Sequence, residues 1–241
     1  MEARTMASMN TDDDGGFRGG MRTITPLIVA VIPIGMVFGS VAATKGLSPF
    51  EATLMSALVF AGGSQFVAMD IWSHPASWSA VATAAFLVNI RHVLMSASLG
   101  RRMQGMSPAA RWIAMLFLAD EIWAMAEARS RRAPLTGPWF AGLVAPFYAA
   151  WVLSTLCGAA AGAFLGDPKT IGLDFAFPAV FIVLVMGFWK DRQAGVTLAA
   201  SALMALFVHR FVPGVWYIAA GAGAGLAVAA CIDAGEEAVA S

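Results

Sequence analysis

Charged residues are few. Asp, Glu, Lys and Arg make up 12% of the 241 residues, against 59% apolar ones, whereas a soluble domain carries about 25% charged residues. An ordinary water-soluble domain is excluded. The charges balance, 15 basic against 15 acidic, and no basic patch alternates with exposed aromatics, so no nucleic-acid partner is expected. There are two cysteines and three histidines, and neither CxxC nor HExxH occurs, so no metal site and no cofactor are expected. Cys157 and Cys231, far apart in apolar stretches, read as small packing residues. No GxSxG turn is present, which leaves an enzyme without a recognisable nucleophile.

What remains is a succession of apolar runs, with mean hydropathy +0.73. A spanning helix needs about 20 apolar residues. Candidate segments cover residues 23–44, 50–72, 78–99, 108–128, 138–165, 173–189, 194–208 and 215–232. The expected fold is an all-α, polytopic helical membrane protein with about seven or eight transmembrane segments, some of them broken. Residues 1–21, with Asp12-Asp13-Asp14 and two glycine pairs, form a solvated N-terminal tail; residues 22–233 form the membrane domain; residues 234–241 form a short tail. A rival reading takes residues 1–42 as a signal peptide, but the run from Thr23 to Thr44 is long for one.

Interruptions are expected at two places. At Pro33 and Gly35 the first segment is expected to kink or break, because proline removes a helix N–H and clashes with the preceding turn. Gly62-Gly63-Ser64-Gln65 interrupts the second. Orientation stays open, because Arg101 and Arg102 precede the fourth segment while Arg129, Arg131 and Arg132 follow it. One full crossing cannot place both groups in the cytoplasm, so either that segment is not a full crossing or one loop is an exception. A faint internal repeat pairs Gly39 and Gly46 with Gly162, Gly166 and Gly172.

Polar groups at bilayer depth are costly and are seldom left facing lipid. Asn89, Arg91, His92 and Ser96 lie in the third segment, and Asp120 and Glu121 in the fourth. Arg91 pairs with Asp120 or Glu121, or else reaches out to the headgroups. Adjacent residues on a helix point about 100° apart, so one carboxylate serves the arginine and the other the pathway, for which Asp120 is chosen. His92 is a candidate proton carrier. Glu127 is expected to pair with Arg131 one turn on.

In order along the chain, Pro33-Ile34-Gly35-Met36-Val37-Phe38-Gly39, Phe60-Ala61-Gly62-Gly63-Ser64-Gln65-Phe66, Asn89-Ile90-Arg91-His92 with Ser96-Ala97-Ser98-Leu99, Asp120-Glu121, and Gly172-Leu173-Asp174-Phe175-Ala176-Phe177-Pro178-Ala179 resemble the large subunit of the AzlC family of branched-chain amino acid exporters. Gly63 stands where alanine is usual, Met95 where an aromatic is common, and Ala119 where threonine is expected. The resemblance implies export of leucine, isoleucine and valine, with methionine a further candidate, and a small hydrophobic AzlD-like membrane subunit as partner. It also implies a multi-pass protein of the bacterial cytoplasmic (inner) membrane.

The expected site follows. Pro33, Gly35, Gly39, Gly62, Gly63, Ser64, Gln65, Phe66 and Asn89 bind the amino acid, with exposed helix ends meeting its charged groups. Arg91, His92, Asp120 and Glu121 form the ion-pair and proton-coupling group. The alternative is a channel-like pore subunit for small polar solutes, and a remoter one an intramembrane enzyme using Ser64, His92 and Asp120.

Overall fold

The computed structural model describes residues 15–73, 75–162, 182, 186 and 191–240. Apart from residues 182 and 186, the sixth segment lies outside them, as do the motif at residues 172–179 and Gly166. Among the described residues every regular element is helical: α1 (Phe17–Thr44), α2 (Pro49–Val59), α3 (Gly62–Asp70), α4 (Trp78–Asn89), α5 (Arg91–Gly100), a 3-10 turn (Arg101–Met103), α6 (Pro108–Leu116), α7 (Asp120–Ser130), α8 (Gly137–Gly162), α9 (Arg192–Phe211) and α10 (Trp216–Ala240).

Phe17–Thr44, Trp78–Met103, Gly137–Gly162 and Arg192–Phe211 are long and apolar enough to cross a bilayer. The chain is therefore a multi-pass helical membrane protein. By contrast α2, α3, α6 and α7 have 9 to 11 residues, or about 13–17 Å at 1.5 Å per residue. Each covers half of a ~30 Å hydrocarbon core.

The described residues divide into two compact units, one drawn from residues 1–66 and 89–173, the other from 67–88 and 174–241. In the first, α1 and α8 form a glycine seam. A Cβ on Gly20 would strike the Trp139 carbonyl and Gly142, one on Gly39 the Thr155 carbonyl, one on Gly158 the Met36 carbonyl, and one on Gly162 would press on Ser40. The partner numbers rise together, so α1 and α8 run parallel. Ser40 Oγ donates to the Gly158 carbonyl at 2.9 Å. Gly39 and Gly162, matched in the faint repeat, both lie on this seam.

The seam corrects two expectations. α1 passes through Pro33 without a break; close packing on α8 at Gly35, Gly39 and Ser40 keeps it continuous. The helix also begins at Phe17, inside the glycine-rich stretch read as tail, because Gly20 lets that stretch lie directly on α8.

The second segment does break. α2 ends at Phe60, which is left-handed at φ 41° and ψ 43°, and α3 starts at Gly62. α2 runs opposite to α8, since Ser56 meets Thr155 while Phe60 meets Phe147. The Gln65 side chain then returns to hydrogen-bond Ser56. Nine residues of straight helix would separate them by about 13 Å, so the chain folds back at Phe60-Ala61.

The fourth segment breaks as well, which matches the alternative that it is not a full crossing. α6 stops at Leu116 and α7 starts at Asp120. Arg102, before α6, contacts Glu127 and Ser130 at the far end of α7, at 2.5 and 2.6 Å. Both ends of the α6–α7 pair are therefore together, and the pair is a hairpin. Phe117 meets Tyr148 edge-on while Arg129 lies over Trp139, so α7 descends along α8 toward its N-terminus. A cavity of about 330 Å³ separates α6 from α8, with Met106 and Gly137 at one end and Phe117 and Ala145 at the other.

The two hairpins thus enter from opposite ends of α8, and their tips meet halfway. Phe60 and Phe117 lie 6.3 Å apart, and both rest on Tyr148, at 5.0 and 5.4 Å. Tyr148 is at the middle of the 26-residue α8. α5 follows α7 in the same direction, through Arg91–Asp120, Ser98–Trp123 and Arg102–Glu127, and so opposes α1. Within the first unit one half-depth hairpin follows α1 and a second follows α5, with inverted sense.

In the second unit α9 and α10 pack antiparallel: Gly221 and Gly225 face Ser201, and Tyr217 meets His209. α9 buries no residue. Cys157 and Cys231 are both exposed on outward helix faces, which corrects their reading as packing residues.

Candidate functional site

The first hairpin opens with a capping box. Ser48 Oγ accepts from the Glu51 N–H at 3.2 Å, and the Glu51 carboxylate accepts from the Ser48 N–H at 2.7 Å. Pro49 occupies the first helical position, where its missing N–H costs nothing. At the other end, Phe60 in a left-handed conformation carries a penalty of about 1–2 kcal/mol, offset by ring contacts to Phe117, Phe147 and Tyr148. Gly62 lies beneath Trp151, whose ring would sit 3.2 Å from a Cβ there.

Gln65 is wholly buried. Its Nε2 donates to Ser56 Oγ at 3.1 Å, and its Oε1 accepts from Trp151 Nε1 at 3.1 Å. Ser56 and Thr155, also wholly buried, share a hydrogen bond of 2.9 Å. Ser64 Oγ donates to the Ala61 carbonyl at 3.0 Å and accepts from Asn89 Nδ2 at 3.2 Å. This neutral network holds α3 against α8. Phe66 packs edge-on against Phe38 at 5.4 Å.

The second tip is ionic. Asp120 and Glu121 occupy the first turn of α7, and Ala119 as N-cap supplies no side-chain hydrogen bond. Acidic groups suit this end of a helix dipole. Arg91 pairs with Asp120 at 2.8 Å. Trp123 Nε1 donates to Ser98 Oγ at 2.8 Å. Glu127 is held by Arg102 at 2.5 Å, with Arg131 more distant at 3.9 Å. The expected Glu127–Arg131 contact is thus the weaker of two. His92 Nδ1 lies 3.2 Å from the Asn89 carbonyl. Glu121 is half-buried and makes no ion pair among the described residues.

Two buried polar atoms without partners lie near this tip, Asn89 Oδ1 and Arg91 Nε, and a third, Glu127 Oε2, lies at the far end of α7. The structure therefore brings together Ser64, Asn89, Arg91, His92, Asp120 and Glu121, with Gln65 bracing the cluster from behind. Pro33, Gly35 and Gly39 belong to α1, where the glycines form the seam with α8. Sequence reasoning missed Ser56, Phe117, Tyr148, Trp151 and Thr155. One signal was legible: Gly46-Leu47-Ser48-Pro49 recurs as Gly105-Met106-Ser107-Pro108, each followed by a tip phenylalanine.

A family model described as AzlC protein matches residues 26–165. An uncharacterized membrane protein of Archaeoglobus fulgidus is 32% identical, over 79% of this chain and 84% of its own. The inner membrane protein YgaZ of Escherichia coli is 29% identical, over 76% and 78%. The branched-chain amino acid transport protein AzlC of Bacillus subtilis is 23% identical, over 81% and 79%. No solved structure matches the chain.

Proposed function

The chain belongs to the AzlC family, and on that premise we propose that it exports branched-chain amino acids (leucine, isoleucine, valine and the similar methionine) across the bacterial cytoplasmic membrane. The proton gradient drives export, and a small hydrophobic AzlD-like subunit completes the exporter. The observation that carries this reading is the meeting of two oppositely directed hairpin tips at Phe60, Phe117 and Tyr148. Inverted repeats with discontinuous helices at half depth are how secondary transporters build substrate sites.

The chemistry fits a zwitterion. The first turn of α3, at Gly62 and Gly63, presents helix N–H groups that attract a carboxylate. The first turn of α7 presents Asp120 and Glu121, which attract an ammonium. The mutual ring contacts at the tips favour an occluded carrier over a continuously open pore.

The hairpin also supports an orientation. Arg102, Arg129, Arg131 and the start of α1 all lie at one end of the first unit, where Thr136 Oγ1 donates to the Gly15 carbonyl and Arg129 faces Trp139. Both basic loops of the fourth segment share that end. The positive-inside rule then sets the end, and the start of α1, in the cytoplasm.

The test is intracellular leucine after a load of leucine-containing dipeptide, in cells with and without the protein. Lower accumulation with the protein is expected; equal accumulation overturns the export reading.

A further inference from the structure

In the first unit α6 is held at its ends and open along its flanks. It buries one residue, Ala114. Trp112, Ile113 and Leu116 form an outer ridge, 75%, 58% and 77% exposed. A cavity lies on each side of that ridge. Toward α8, Ala110, Ile113 and Ala114 face Ala141, Val144 and Ala145 across about 330 Å³, with Phe117 at the deep end. Toward α5, Pro108, Arg111, Trp112 and Met115 face Ser96, Ala97 and Gly100 across about 450 Å³. The first cavity is lined by apolar side chains. The second holds a guanidinium.

Arg111 differs from the other arginines at this end. Arg102 is held by Glu127 and Ser130, Arg129 lies over Trp139, and Arg131 reaches Glu127. Arg101 and Arg132 stand exposed in the loops. Arg111 is half-buried in the α5–α6 cavity, yet it has no ion pair, hydrogen bond or ring contact among the described residues. A guanidinium stays charged and carries five donors in a fixed fork, which suits phosphate oxygens. Partly withdrawn from water, it calls for an anion. The surroundings call for an apolar body on the same molecule. Length adds a further constraint. α6 spans about 13 Å from the cytoplasmic end to half depth, which is one leaflet of the bilayer.

We propose that α6 carries a binding site for an anionic phospholipid of the cytoplasmic leaflet. The headgroup phosphate pairs with Arg111, and the two acyl chains straddle the Trp112 ridge. One chain lies along Ala97 and Met115. The other fills the cavity against α8 and ends on Phe117, so the lipid wedges the hairpin at its half-depth position. Charge complementarity selects this occupant: basic pockets between helices on the cytoplasmic side take anionic headgroups, and Glu127, already bound by Arg102, is the one acid at this end among the described residues of the unit. The site goes beyond the export reading and does not depend on what is carried.

The test uses the full chain reconstituted in phosphatidylcholine bilayers with a minor share of brominated lipid, whose bromines quench tryptophan on contact. The Trp112 signal is the difference between wild type and Trp112→Phe. Brominated phosphatidylglycerol should quench it at a several-fold lower membrane fraction than brominated phosphatidylcholine. Arg111→Gln removes no contact within the protein and should raise that fraction about tenfold; Arg111→Lys should recover part of the preference. Arg132→Gln, at an exposed loop position, measures the general attraction of the basic end and should shift the fraction less than about twofold. Ala141→Phe, or Ala145→Phe should the first misfold, fills the α8-side cavity and should weaken phosphatidylglycerol several-fold with Arg111 in place.

Equal quenching by the two lipids overturns the site, as do equal losses in Arg111→Gln and Arg132→Gln. An unchanged preference in both cavity-filling variants overturns the placement of the chains. Displacement of brominated phosphatidylglycerol by inorganic phosphate as readily as by the unlabelled lipid makes Arg111 a free-anion site and overturns the lipid assignment. A Trp112 that neither brominated lipid reaches marks a protein partner over α6 and overturns it as well. Transport enters none of these readouts, so failure of the export reading leaves them intact.

Discussion

The two hairpins share a shape and differ in chemistry. Each starts with Ser-Pro, runs about half the bilayer, turns at a phenylalanine and comes back. The first is pinned by neutral groups: Gln65, Ser56, Thr155 and Trp151 satisfy one another out of reach of water. The second is pinned by ions, Arg91 with Asp120 and Arg102 with Glu127. A buried neutral network resists change because any broken bond leaves an orphan, and each orphan costs about 1–3 kcal/mol. Ion pairs that are part-exposed exchange partners more cheaply. The contrast assigns the first hairpin to the frame and the second to the moving part.

The sharpest way to break that assignment is Gln65→Leu. The substitution leaves Trp151 Nε1 without its acceptor and removes the donor to Ser56. A loss of about 2–4 kcal/mol is expected, seen as a large fall in the thermal midpoint of detergent-solubilised protein. A variant as stable as wild type with normal transport would show that the network is not the frame.

Arg91→Ala should cost less. It strands Asp120, whose side chain is 37% exposed, so the penalty of an unpaired acid at depth is discounted to about 1–2 kcal/mol. The double variant Arg91→Ala with Asp120→Ala should recover stability relative to Arg91→Ala alone, yet not recover transport, because α5 and α7 are no longer coupled. Full recovery of transport in the double variant would make the pair dispensable and weaken the division of labour between hairpins.

The sequence exposed much of this, unevenly. Membrane class and helix content followed from long apolar runs, and a pairing of Arg91 with a carboxylate of the fourth segment followed from the rarity of charge at depth, but the choice of Asp120 for the pathway did not foresee that Asp120 is the arginine's partner. The break at Gly62 followed from its glycines. Pro33 misled, because a proline is tolerated where a neighbouring helix packs closely, and that neighbour, α8, lies more than a hundred residues away. The reversal at residues 117–119 carries no glycine or proline, so composition was silent there; the basic loops on both sides of the segment were the only hint. The neutral network was invisible because Ser56 and Thr155 are ordinary residues until α2 and α8 are laid side by side.

The smallest expected effect separates the hairpins at their entrances. Ser48 and Ser107 both cap a helix whose first residue is proline, accepting from Glu51 at 3.2 Å and from Ala110 at 3.3 Å. Only the first has a reciprocal contact, because Glu51 returns to the Ser48 N–H while Ala110, at the matching position, has nothing to return. Ser107→Ala should therefore cost about 1 kcal/mol, the ordinary value of an N-cap. Ser48→Ala should cost the same cap, while the Glu51 contact to the Ser48 backbone survives the substitution. Removing both, as Ser48→Ala with Glu51→Ala, should exceed Ser107→Ala by a few tenths of a kcal/mol to about 1 kcal/mol. Amide hydrogen exchange in the first turns of α2 and α6 reads the difference directly, since local opening there does not need the whole protein to unfold. Equal protection losses at the two entrances would mean that the capping box adds nothing, and that the frame is distinguished from the moving part only at the tips.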